Sequence, residues 1–162
     1  MATQKTRQKL NETPSQASQK VSQRASGEVM GCLNEAFQSE MAGIIRYLHY
    51  SFMIMGHNRI PIQKWLRDQA TESMDHAVAL GEKITSLGGH PPMVSATVKE
   101  THEHSVDQIL EESLAHEEAG LACYERLARI AGQDIALEEF ARGMVRTEVE
   151  HIDEVRKMLR RK

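Results

Sequence analysis

The sequence predicts an all-α protein, a four-helix bundle with one long crossover between its second and third helices. Three observations lead there. The 162 residues are 40% hydrophobic but only 4% aromatic, with four prolines, and Ala, Leu, Met, Glu, Lys, Arg and Gln dominate, a mixture that favours helix over strand. Apolar residues recur at steps of three and four through four long stretches. Two of the breaks between these stretches are short, whereas residues 88–104 have no clear period. The length suits one domain, and helices of about 25 residues would each be about 38 Å long.

The elements follow in order. Residues 1–25 are polar and carry Lys5, Arg7, Lys9, Lys20 and Arg24 against Glu12. They are expected to form a basic arm, with a short helical stretch at most, ahead of a bundle over 26–162. The first helix is expected from about Gly27 to Met55, with a buried stripe of Leu33, Phe37, Glu40, Ile44, Tyr47 and Ser51. "GHNRIP" breaks it through Gly56 and Pro61. A second helix fits Pro61 to Leu87, proline being tolerated in a first turn. Its stripe is Leu66, Gln69, Ser73, His76, Leu80, Ile84 and Leu87, and "GGHPP" stops it. The third helix starts near Ser105, where "SVDQ" has the capping-box form, and runs to about Ala131 with Leu110, Leu114, Glu117, Leu121 and Tyr124 on one face. After "GQD", the fourth runs from about Ile135 to Arg160 and aligns Met144, Glu148, His151, Val155 and Leu159. Arg156, Lys157, Arg160 and Arg161 crowd its C-terminal end, where the helix dipole favours cations. The long connection must return along the bundle, so the third helix is expected parallel to the second.

Several function classes are disfavoured. A net charge of −3 does not suit a protein whose whole body binds nucleic acid. The N-terminus has no apolar run of signal-peptide type, and no segment approaches a membrane span. Cys32 and Cys123 are the only cysteines, which is no disulfide framework. The expected setting is the cytoplasm, without a membrane.

The anomaly is what sits on the apolar stripes. Glu40, Glu117 and Glu148 fall among Phe, Ile, Leu and Met, and so do His76 and His151. A bare buried charge costs several kcal/mol, so buried carboxylates are paired or bind metal. Glu148 and His151, three apart in "TEVEHID", share a helix face and can hold one ion. Carboxylates with imidazoles suit iron or manganese. Taken singly, each has an ordinary alternative: a solvated Glu/His pair, an unremarkable histidine, a charge run in "HEEAG". Jointly, they require four helices each presenting an acid or histidine at similar depth. A near-copy, "TESMDHA", stands on the second helix, but there Glu72 lies four before His76 and Ser73 occupies the place three before it.

The stretches "LNEAFQSEMAGIIRYLHY", "TESMDHAVALGEKITSLGGHPP", "SLAHEEAGLACYERL" and "RTEVEHIDEVRKML" resemble the four helices of bacterioferritin and its smaller ferritin-like relatives, over about Leu33 to Leu159. The resemblance implies a ferritin-like bundle with a di-iron ferroxidase centre. Carried over by motif, its metal ligands are Glu40, His76, Glu117, Glu148 and His151, with Tyr47 close by. Two carboxylates would bridge the irons, and Glu40 and Glu117 are expected in that shared role. Ser73 stands where the family has its remaining Glu. Either Glu72 reaches in as a ligand through a local widening of the helix, or the second iron site is weakened and Glu72 faces elsewhere, for instance with Asp68 on an inner cavity wall. Met74 matches a methionine that ligates haem between two subunits, although packing is the ordinary role for such a residue. Cys32 and Cys123 are displaced toward the same end of neighbouring helices, by about 12 and 9 Å from Glu40 and Glu117. They can meet, or serve as small buried hydrophobes.

The activity so implied is oxidation of Fe(II) by O2 or H2O2, with ferric product kept in a homo-oligomeric shell. The sequence ends at "MLRRK" without the fifth short helix of bacterioferritins, and it adds a basic arm. Both features look more like the twelve-subunit, DNA-protecting Dps type, in which the arm would meet phosphates. A bundle that has lost turnover through Ser73 is a further alternative.

Overall fold

The computed structural model describes residues 16–132 and 134–160. Its four helices are α1 (Gln16–Met53), α2 (Arg59–Ser86), α3 (Val106–Ile130) and α4 (Ile135–Leu159). Three lie close to their expected bounds. α1 instead begins well before Gly27, so helix extends into the segment assigned to the arm. Once a helix is nucleated, elongation adds one hydrogen bond per residue fixed, and Gln, Ala, Lys and Arg propagate it without an apolar stripe. The expected contact of the arm with DNA falls largely on residues 1–15, outside the described residues.

The ends obey local rules. The Ser105 hydroxyl oxygen accepts from the Gln108 N–H at 3.3 Å, and Asp134 Oδ1 accepts from the Leu137 N–H at 3.0 Å, capping α3 and α4. The capping box at Ser105 is modified: its hydroxyl also donates to Gln108 Oε1 at 2.7 Å. α2 ends in a Schellman motif. Gly88 takes φ 80°, its N–H bonds Thr85 O, and the Gly89 N–H bonds Ile84 O, both at 2.9 Å. That motif makes Leu87 the C-cap, so Leu87 is exposed and is not part of the buried stripe. Leu114 and Leu121 on α3 are half-buried, and the deep positions are instead Ile109, Leu110, Ser113, Glu117, Tyr124 and Leu127.

α1 packs on α2 and on α3, and α3 packs on α4. Cross-helix partners run in opposite directions. From α1 to α3 they are Cys32–Cys123, Glu40–Tyr124 and Tyr47–Glu117. From α2 to α4 they are Glu72–His151 and His76–Glu148. α1 is therefore antiparallel to α3, and α2 to α4. The crossover follows α1, pinned by Ala96 N–H to Gln38 O at 2.8 Å and by Thr101 Oγ1 to Glu112 Oε1 at 2.6 Å.

Two apolar clusters fill the bundle. One contains Leu33, Leu80, Ile84, Tyr124, Leu127 and Leu137; the other contains Tyr47, Tyr50, Ile54, Leu66 and Ile109. Burying each such Leu or Ile fully contributes about 1.5–3 kcal/mol, which offsets the polar layer lying between the clusters. Among the described residues, no helix is long and apolar enough to cross a membrane.

Candidate metal centre

Between the two clusters, Glu40 from α1, Glu117 from α3 and Glu148 from α4 are buried, at 7%, 6% and 3% exposure. With His76 and His151 they line a cavity of about 10 Å³, the scale of one water or ion. The geometry divides in two. Glu40, His76 and Glu148 present ligand atoms within 4.8 Å of one another, and so do Glu117, Glu148 and His151. The residue common to both groups is Glu148. Glu40 and Glu117 each accompany a single histidine: His76 Nδ1 is 3.3 Å from Glu40 Oε1, and His151 Nδ1 is 3.5 Å from Glu117 Oε2. Glu148 is the carboxylate common to both groups, whereas Glu40 and Glu117, expected in the shared role, each stand in one group with one histidine. The two imidazoles stack, their centroids 6.3 Å apart and their planes 17° from parallel.

Each outer carboxylate is held by a tyrosine. Tyr47 donates to Glu117 Oε1, and Tyr124 donates to Glu40 Oε1 at 2.6 Å. Burial and then the adjacent carboxylates hold both phenols well above their ordinary range, so they stay protonated donors. Tyr124 entered the sequence reading only as a stripe residue. Its signal was available: it stands seven after Glu117, as Tyr47 stands seven after Glu40.

The carboxylates are electrostatically unlike. Burial, followed by the neighbouring Glu117, pushes Glu148 far up, so it carries a proton. Burial also pushes Glu117 up, but hydrogen bonds with His151, Glu148 and Tyr47 outweigh it and hold Glu117 ionised. Burial lowers His151, while Glu117 and Glu72 outweigh that and raise it. A proton on Glu148 is what a buried cluster of like charges adopts when no cation compensates it.

Ser73 is buried and faces α1 at Gly43, where a methyl group would lie 2.6 Å from Ser73 Oγ and 2.9 Å from His116 Nε2. Gly43 thus permits the close approach of α1 to α2 and α3 at this level. His116 also lines the cavity and lies edge-on to Tyr47, with ring centroids 5.9 Å apart. Burial lowers its basicity, favouring the neutral ring. Sequence reasoning missed His116, because "HEEAG" reads as an outer charge run.

α2 is regular α-helix throughout, so the local widening considered for Glu72 is not there. Glu72 Oε1 approaches His151 Nε2 at 3.0 Å, the nitrogen turned away from Glu117. It therefore sits behind a histidine rather than inside either ligand group. Asp68 pairs with Lys64 on the exposed face, and Met74 is exposed. Cys32 and Cys123 do meet, with Sγ atoms 3.9 Å apart and both thiols free. Hydrogen bonding with Cys123, and then with Arg126, lowers Cys32 to about 6, while Cys123 is raised by its bond to Cys32.

A family model described as "Ferritin-like domain" matches residues 31–162. The bacterial non-heme ferritin of Bacteroides fragilis is 28% identical over 127 residues, covering 77% of this chain and 80% of that one. Among solved structures, the ferritin-like, diiron-carboxylate protein of Bacillus anthracis superposes with a TM-score of 0.79 at 26% identity, covering 84% of this chain and 98% of its own. The dodecameric thioferritin of Bacteroides fragilis, a bacterioferritin-related protein, superposes with a TM-score of 0.76 at 18% identity, covering 87% and 92%. The last likeness concerns the fold alone.

Proposed function

Since this chain belongs to the family of ferritin-like domains, we propose that it oxidises Fe(II) at a di-iron centre built from Glu40, His76, Glu117, Glu148 and His151. The observation that carries the reading is the paired arrangement, two histidine–carboxylate groups sharing Glu148. Entering cations would compete with the proton that burial and Glu117 favour on Glu148, so the carboxylates would become available as Fe(II) binds. Glu40, Glu117, Glu148 and the nearby Glu72 together balance two divalent ions. Two Fe(II) supply the two electrons that reduce H2O2 to water or O2 to H2O2. Tyr47 and Tyr124 orient the outer carboxylates by donating to them; on Glu117 the opposite oxygen is the one that faces His151, whereas on Glu40 the oxygen that meets Tyr124 also faces His76. Glu72, behind His151 Nε2, fixes which ring nitrogen faces the ligand group, as carboxylates behind ligating histidines do.

The solved dodecameric relative supports a shell of copies that would hold ferric product. Exposed Ile45, Leu48, Phe52, Met55 and Ile60, clustered at the end of α1 and the start of α2, suit burial against other subunits. Haem at Met74 has no part in this reading. A DNA-protecting role would rest on the basic residues of the N-terminal segment.

Stopped-flow oxidation of Fe(II) tests the proposal. Glu148→Ala should abolish the rapid phase with O2 and with H2O2, while far-ultraviolet circular dichroism keeps its helical signal. One reading competes, that Ser73 has removed turnover and left a binding subunit. It predicts no rapid phase in the parent protein.

A further inference from the structure

We propose a second metal site, separate from the bundle centre, in which His49 of α1 and Glu100 and His104 of the crossover bind one divalent first-row transition cation. The three residues present ligand atoms within 4.8 Å of one another. Glu100 stands between the two rings: its Oε2 lies 2.9 Å from His49 Nε2 and its Oε1 lies 3.8 Å from His104 Nε2. Both nitrogens are shielded from solvent, and neither makes a hydrogen bond. For His49 the distance to Glu100 is short, but the two groups are misaligned for a hydrogen bond. Two shielded imidazole nitrogens without a hydrogen bond, converging on one exposed carboxylate that meets them only as an ion-pair partner, form a donor set suited to an acceptor of electron pairs.

The surroundings hold this set in place. The carboxylate of Glu100 accepts the His102 N–H at 2.8 Å, and His102 adopts the left-handed region, φ 59°, to deliver it. That bond, followed by the adjacent histidines, holds Glu100 below the usual carboxylate range. The rings of His49 and His104 lie 6.0 Å apart, at 56° to each other. Thr101, next to Glu100, bonds Glu112 of α3, which also accepts from Tyr50. The crossover is therefore tied to both α1 and α3 around the three ligands. In a tetrahedral site with metal–ligand bonds of about 2.0–2.2 Å, ligand atoms stand about 3.3 Å apart. The observed distances bracket that value, and the exposed Glu100 side has room for water in the remaining position. Two histidines with one carboxylate suit zinc, cobalt, nickel, copper or ferrous iron over calcium or magnesium. None of these residues belongs to the bundle centre. A cation here would join α1 to a segment otherwise held by few bonds.

Zinc(II) is the probe, counted by equilibrium dialysis of the full-length protein. A Glu148→Ala background removes the carboxylate common to both ligand groups of the bundle centre, so that its ions and this one are counted apart. In that background one zinc per subunit should remain, and its binding should perturb the His49 and His104 imidazole resonances. Adding His104→Gln should lower the affinity of that ion at least tenfold, and His49→Gln should do the same. His104 lies in the crossover, outside the helical core, so its variant decides the matter if His49→Gln compromises folding. Retention of the same zinc affinity in the folded His104→Gln protein would overturn the proposal, as would imidazole shifts at other histidines only.

Discussion

Ser73 and Glu72 are the residues on which the centre departs from symmetry. α1 and α3 each contribute a glutamate with a tyrosine seven residues later, and α2 and α4 each contribute a histidine. Glu148 has no counterpart at Ser73, and it is the one carboxylate that stands in both candidate ligand groups. Glu72 makes up the charge from behind His151 instead of from within. As an outer partner it tunes a ligand, so Glu72→Ala should weaken one of two bound Fe(II) by about 10–100-fold and leave the other unchanged. Anaerobic titration with a ferrous chelator in competition measures it. A second consequence concerns pH in the metal-free protein. Glu148 is raised in the folded state, so between its ordinary carboxylate range and its raised value the folded chain holds a proton that the unfolded chain has lost. His151 is raised as well, and it acts in the same direction above its ordinary value of about 6.5. Both make stability fall as pH rises. Cys32, lowered to about 6, and His116, lowered by burial, act the other way, so the Glu148 contribution is read as a difference between variants. From pH 5 to pH 8 the melting temperature of metal-free Glu148→Gln should rise more, or fall less, than that of the metal-free parent. Zinc or Fe(II) should shift the parent in the same direction, because a cation favours the ionised carboxylate. Identical slopes in the metal-free parent and Glu148→Gln would contradict the assignment of the proton to Glu148.

At the scale of elements, the sequence was legible wherever one periodicity dominated. The stripes of α2 and α4, the glycine stop at Gly88 and the cap at Ser105 are local chemistry, and each stands near its expected place. What escaped depended on neighbours. The polar start of α1 carries no apolar pattern, so its helical state could not be told from an arm. Leu87 continued the spacing of the stripe, yet the capping geometry turned it outward. Of the centre, Glu40, His76, Glu117, Glu148 and His151 were readable because charged residues on apolar stripes are costly and few. Which carboxylate stands in both candidate groups depended on how the helices pack, and the places of His116 and Gly43 depended on a contact among three helices. The His49, Glu100 and His104 cluster joins a helix to a segment without period, and spacing carries no signal for it. Gly43 gives the element-scale prediction. Gly43→Ala should raise intrinsic helix propensity, yet its methyl would press on Ser73 and His116. Overpacking of this kind costs about 1–3 kcal/mol, so urea unfolding should show a net loss of stability. A gain would mean that α1 and α2 are further apart than described.

For the whole molecule, the bundle pairs two apolar clusters with a polar layer that neither cluster needs for packing. The arrangement spends stability on a set of buried carboxylates, and such an expense fits a cation that the fold is built to receive. The exposed apolar residues near the turn between α1 and α2 are the surface that the proposed assembly of copies would bury. The central claim, however, belongs to one subunit. It is tested most directly by anomalous scattering at the iron absorption edge from crystals loaded with Fe(II) under anaerobic conditions. The account predicts two iron peaks per subunit inside the bundle, one against Glu40 and His76, the other against Glu117 and His151, with Glu148 touching both. An empty bundle centre at saturating Fe(II), or a single ion there that Glu148 does not contact, would contradict it.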